Sequence, residues 1–295
     1  MASLLLTNGA TVNQAHGDGA TPLLIACQKG LSEVASLLLT NGAVVNQAEG
    51  RGFTPLYAAC QEGYADVASL LLTNGAAVNQ ANGDGTTPLY IACKEGHVDV
   101  ASLLLTNGAA VNQAGGRGFT PLHVACHVGS LALVQLLSSY SASRTLRNGK
   151  MAEEVAGHLG HSEVAAWLQA SRLWSTPLHH LDIIDAKRGR ALLRDGANLH
   201  AAAAVDGPTP LTLARAQHLS GNATEGSAAH LVLQAAARWS EQTHNLFPAA
   251  VRARAVVLTV LGHSFSRQGR FFGQEVSFFD VWMHHVMPHA IRRQH

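Results

Sequence analysis

Charge is scarce in this chain. Of its 295 residues, 13% are Asp, Glu, Lys or Arg, against about 25% in ordinary globular domains. The formal balance is only +1, which argues against broad electrostatic capture of nucleic acid or of an anionic membrane. No uninterrupted apolar run reaches the roughly 20 residues that a spanning helix needs. Residues 1–8, Met-Ala-Ser-Leu-Leu-Leu-Thr-Asn, have neither a basic start nor a long apolar core, which predicts no signal peptide. Aromatic residues are few, at 5%, and there are four cysteines. The chain reads as a soluble protein of the cytoplasm, or of the nucleus.

What is present is repetition. Thr-Pro-Leu begins at Thr21, Thr54, Thr87 and Thr120, and the differences 54−21, 87−54 and 120−87 are each 33. A fixed period of this size marks a solenoid of stacked units rather than one globular core. Each recurring residue has a physical role. Pro22 suits the first turn of a helix, where its fixed φ is right and its missing N–H is not needed. Thr21 before it is a natural N-cap. Leu23, Ala26 and Cys27 fall on one apolar face, and Val34, Leu37 and Leu38 give a second helix its own stripe. Gly30 and Gly42 stand where each helix should close in a left-handed conformation. Asn46, Gly50 and Gly52 supply turn chemistry for the next hairpin. No unit can bury these faces alone, so the units must stack.

The residues Gly19-x-Thr21-Pro22-Leu23 with Ala26, Gly30, Val34, Leu37-Leu38 and Gly42-Ala43-x-Val45-Asn46 resemble the ankyrin repeat. The resemblance implies an all-α solenoid in which every unit is a hairpin followed by two antiparallel helices. It also implies protein partners, held on the concave surface formed by hairpin tips and first helices, and no cofactor.

Cys27, Cys60, Cys93 and Cys126 occupy one position of this repeat. Neighbouring helices lie about 8–10 Å apart, whereas a disulfide needs Cα atoms within about 7 Å. They therefore read as small buried hydrophobes, and free thiols fit a reducing compartment.

Along the chain, residues 1–15 match only the second half of a unit. An apolar edge left uncovered there predicts self-association through the N-terminus. Four near-identical repeats fill 16–147 (16–48, 49–81, 82–114, 115–147). An eroded fifth occupies 148–171, with Met151 and Ala152 where Thr and Pro belong. Two divergent units occupy 174–237, opening at Thr176-Pro177-Leu178 and Thr209-Pro210-Leu211, again 33 apart (209−176). The second of them has a longer polar link around residues 218–227. Residues 238–295 form a C-terminal extension, with helices expected at 249–261 and 275–287 and Phe271, Phe272, Phe278 and Phe279 nearby. It reads as a helical cap. The alternative is a docking module, which would make the protein a substrate adaptor for a ubiquitin ligase; residues 280–288 are faintly similar to F-box-type helices.

Motifs that suggest chemistry are better explained by the repeat. Gly17-Asp18-Gly19 and Gly50-Arg51-Gly52 lack the preceding strand and third glycine of a dinucleotide loop. His285 and His289 are interrupted by Pro288, and no cysteine or carboxylate stands near them in zinc spacing. Glu33, Asp66 and Asp99 recur at the start of the second helix, where they complement its dipole. No nucleophile, base and acid fall together, so no enzymatic activity is expected.

Variation among copied units is the remaining signal. The hairpin position reads Asp18, Arg51, Asp84, Arg117, alternating in sign, and two residues later come Ala20, Phe53, Thr86 and Phe119. On the first helix, Leu24, Tyr57, Tyr90 and His123 share one place. Gln28-Lys29, Gln61-Glu62, Lys94-Glu95 and His127-Val128 share another. Following the resemblance, the charged and polar members of these rows, with the aromatic residues and His123, are the expected partner-binding set. Aromatic side chains beside arginine are typical interface anchors.

Overall fold

The computed structural model describes residues 4, 7–145, 151–172, 174, 176–202, 207–236 and 244–253. The chain divides into two compact units, Met1–Arg172 and Leu173–His295, each described by itself. Among the described residues the secondary structure is helical, with no strand beyond one isolated bridge between Thr145 and Met151.

In the first unit the helices come in pairs: α1 (Pro22–Gln28) with α2 (Ser32–Thr40), α3 (Pro55–Glu62) with α4 (Ala65–Thr73), α5 (Pro88–Glu95) with α6 (Val98–Thr106), and α7 (Pro121–Val128) with α8 (Leu131–Ser139). The eroded fifth repeat still makes a pair, α9 (Ala152–His158) and α10 (Ser162–Ala170). First helices pack on first helices and second on second, in chain order.

Local chemistry accounts for the pairs. Thr21, Thr54 and Thr87 cap α1, α3 and α5, accepting from the amides of Leu24, Tyr57 and Tyr90 at 3.2, 3.1 and 3.2 Å. Met151 has no hydroxyl for this; instead the Glu154 carboxylate reaches back to its amide at 3.1 Å. Gly63 closes α3 at φ 82, and a Cβ there would sit 2.6 Å from the His97 ring. That ring is placed by its own bond, His97 Nε2 donating to the Gln61 carbonyl at 3.0 Å. Both demands select glycine.

The core runs unbroken from Leu23 to Leu168. Within the second helices Leu38, Leu71, Leu104 and Leu137 are buried, while Leu37, Leu70 and Leu103, expected in the same stripe, are half-buried. Consecutive repeats are also tied by asparagines. Asn46 donates to the Gly75 carbonyl at 3.2 Å and accepts from the Ala77 amide at 2.8 Å. Asn13 does the same to Gly42 and Val44, and Asn79 to Gly108 and Ala110. Asn112 keeps one of the two bonds, accepting from Ser143 N at 2.7 Å. An amide carries donor and acceptor on one group, so it can clamp both sides of a turn.

In the second unit the expected first helix after Thr176 is reduced to a 3₁₀ turn, Pro177–His179. The physical reason is local. The Thr176 hydroxyl and amide are engaged by the His179 ring at 2.8 and 3.2 Å, and Asp185 already caps the next helix, accepting from Arg188 N at 2.7 Å. The unit continues with α11 (Ala186–Arg194), α12 (Pro210–Leu219) and α13 (Ala228–Ala236), which bury Leu178, Leu193, Ala214 and Val232. His179 ties the turn to the segment after α11, its Nε2 donating to the Pro208 carbonyl at 3.1 Å. The polar link is a loop over 220–227, and residues 249–253 are helical. The rest of the helix expected at 249–261, and all of the one at 275–287, lie outside the described residues.

Candidate functional site

The hairpins of the four copied repeats form a row. Each tip donates one backbone hydrogen bond to the tip before it: Gly50 N to Asp18 O at 3.0 Å, Gly83 N to Arg51 O at 2.9 Å, and Gly116 N to Asp84 O at 2.9 Å. The approach is close enough to require glycine. A Cβ on Gly116 would lie 2.4 Å from the Asp84 carbonyl oxygen. Inside three of the four tips a polar side chain organises the turn. Asp18 accepts from Ala20 N at 3.0 Å, Glu49 from Arg51 N at 2.8 Å, and Asn82 from Asp84 N and Thr86 N at 3.0 and 2.9 Å. The Ala20 amide, and then the His16 ring at 3.1 Å, hold the Asp18 carboxyl below its ordinary pKa.

Residue by residue, the expected set divides into surface and support. Asp18, Arg51, Asp84 and Arg117 are exposed along the tips, as are Gln28, Lys29, Glu62, Lys94, Glu95 and His127 at the ends of the first helices. Phe119 is 38% exposed. Gln61, Thr86 and Tyr90 are half-buried. Phe53 is also half-buried and lies flat on Tyr57, ring centroids 4.8 Å apart at 7°.

Tyr57 and His123, by contrast, are interior, 4% and 0% exposed. Tyr57 meets the Thr86 hydroxyl at 3.3 Å, and burial raises its pKa. These two hold the surface in place rather than present themselves on it. Tyr57 is held against the next hairpin at Thr86, and His123 is turned onto Thr120 of its own repeat, whereas Tyr90 at the same place stays half-buried.

Charges on the face are partly matched already. Lys94 pairs with Glu95 at 3.2 Å, and Gln61 donates to Glu62 at 3.2 Å. Among the described residues, the side chains of Arg51 and Arg117 have no hydrogen-bond or ion-pair partner. Sequence reasoning missed the residues that shape the tips, Glu49 and Asn82, and gave Asn46 to the next turn when it clamps the next repeat. The available signal was position: a polar residue stands two places before the charged tip in three of four copies (His16, Glu49, Asn82).

Beside the fourth hairpin lies a cleft of about 550 Å³, lined by Asn112, Gln113, Ala114, Gly115, Gly116, Gly118, Thr120, Ser143 and Thr145. Its lining has hydroxyls and amides but no acid, base or thiol, so it offers no general acid–base pair. Among the described residues no three His, Cys, Asp or Glu side chains converge as a metal site would require, and no helix is long and apolar enough to cross a membrane.

Comparison with known proteins gives one result that bears on this row. The family model described as ankyrin repeats (3 copies) matches residues 1–82 and 74–148. No curated protein matches the chain.

Proposed function

The chain belongs to the ankyrin-repeat family, and from that premise we propose that it is a non-catalytic scaffold that binds a protein partner on its hairpin and first-helix face. Ankyrin repeats are in general protein–protein interaction modules. The observation that carries the reading to this face is the contrast within the row. The backbone of the tips is held constant by matching hydrogen bonds, while the exposed side chains on it differ from repeat to repeat. A rigid frame with variable residues is how one scaffold acquires a particular partner.

Arg117 and Phe119 are the accessible anchor pair, an unpaired cation beside an exposed ring, which is the composition of an interface hot spot. The experiment is capture of partners by the wild-type chain and by Arg117→Ala combined with Phe119→Ala. Loss of a partner that the wild type retains is the expected result. Equal retention of every partner would remove the face from consideration.

A further inference from the structure

The four tips are alike in backbone but alternate in side chain. Arg51-Gly52-Phe53 recurs as Arg117-Gly118-Phe119, at 117−51 = 66 residues, and between and before them stand Asp84-Gly85-Thr86 and Asp18-Gly19-Ala20. The row is regular, because the same backbone bond joins each tip to the last. Its step is that of packed helices, about 8–10 Å.

Taken from the other end, the row Asp, Arg, Asp, Arg becomes Arg, Asp, Arg, Asp. A second copy laid antiparallel against the first thus places Arg117 opposite Asp18 and Arg51 opposite Asp84. Two-fold symmetry makes each pair occur twice. The flanking residues match in size: Phe119 falls opposite Ala20, and Phe53 opposite Thr86. Two residues before the charge, Glu49 faces Asn82 and His16 faces Gly115, so no like charges meet. A parallel arrangement sets every tip against its own charge.

We propose that the hairpin row pairs two copies of this chain antiparallel through these alternating tips. The proposal rests on the reading of the row as a binding face, and it names a second copy as an occupant. Exposed ion pairs are weak singly and screened by salt, so the dimer is salt-sensitive and competes with any other partner of the same face.

Sedimentation equilibrium of the full chain tests this, with circular dichroism to verify folding. Association is expected at low salt and lost at about 0.5 M salt, where the screening length is only a few ångströms. Asp84→Arg sets two arginines against each other twice, and Arg51→Asp does the same with two aspartates. Each alone should weaken association more than about tenfold. Mixed in equal amounts, the two variants should pair again, since every contact between them is once more arginine against aspartate.

A wild type that stays monomeric overturns the proposal. So does a mixture no tighter than its components. Association that salt strengthens and Asp84→Arg leaves unchanged also overturns it, and assigns the contact to the apolar N-terminal edge around Leu4 and Ile25, 62% and 44% exposed. Partner capture is a separate readout: a monomeric chain whose partner is lost with Arg117→Ala and Phe119→Ala keeps the proposed function and discards this dimer.

Discussion

The hydroxyl of Thr120 engages the ring of His123, Oγ1 to Nδ1 2.7 Å, where Thr21, Thr54 and Thr87 give theirs to a backbone amide. Repeat four thus exchanges a helix cap for a buried side-chain pair. His123 is fully enclosed, and burial lowers its pKa below that of an ordinary histidine.

That burial makes stability depend on pH. The folded state keeps His123 neutral, whereas the unfolded chain takes up a proton near the ordinary value of about 6.5. Its folded pKa is depressed, so the contribution is present above that value and is lost as pH falls below it. The urea midpoint of the wild type should therefore drop between about pH 7.5 and 5. His123→Leu, with the residue that repeat one uses at Leu24, should flatten the drop. An unchanged pH profile in the variant would clear His123 of the effect.

The stack should fail locally when one of its deepest residues is trimmed. Leu71→Ala removes a fully buried side chain from α4 and should cost about 2–5 kcal/mol. Leu70→Ala, at the half-buried neighbour, should cost clearly less. Urea unfolding supplies the two numbers, and hydrogen exchange the place. Protection should fall in the second repeat and its neighbours; a loss confined to 238–295 would contradict nearest-neighbour stacking.

Ser141 stands where the other copies have a helix-closing glycine and is held at φ 60. A side chain in that left-handed region costs on the order of 1–2 kcal/mol. Ser141→Gly should therefore raise stability by about 1 kcal/mol, read as a higher midpoint with an unchanged slope. A neutral or destabilising result would show that the serine side chain compensates.

The cysteines give a chemical test of the interior. All four are free and buried, and burial pushes the thiols of Cys27 and Cys126 up to about 12, and those of Cys60 and Cys93 higher still. A thiol reagent at about pH 8 meets almost no thiolate, so none of the four should react in the native chain and all should react in urea. Fast native labelling of one would reveal local opening of its repeat.

Much of the fold was legible because short-range rules settle it. Thr-Pro at a helix start and glycine at its close act within a few residues, and the copies repeat them. The failures arise where a distant neighbour decides. Leu70 and Leu71 are equally apolar in sequence, and only packing within the stack determines which is covered. Tyr57 and His123 resemble surface residues of a variable position, yet both are enclosed, Tyr57 against Thr86 of the next hairpin and His123 against Thr120. The second unit shows the limit of a motif: Thr176-Pro177-Leu178 is intact, but its threonine is engaged by the His179 ring and it makes one 3₁₀ turn.

The asparagine clamp makes the array adjustable in length. Removing residues 49–81 would bring Asn46 against Gly108 and Ala110, which are the same residue types as the Gly75 and Ala77 it holds now. Whole repeats can thus be lost or gained with the joint between neighbours unaltered. The charges on the tips obey a different arithmetic. One deletion of this kind leaves Asp18, Asp84 and Arg117, whose middle member meets itself when the row is reversed. Deleting residues 49–114 leaves Asp18 and Arg117, which reverse cleanly. Parity of repeat number, to which the stack is indifferent, decides whether the row matches its own inverse.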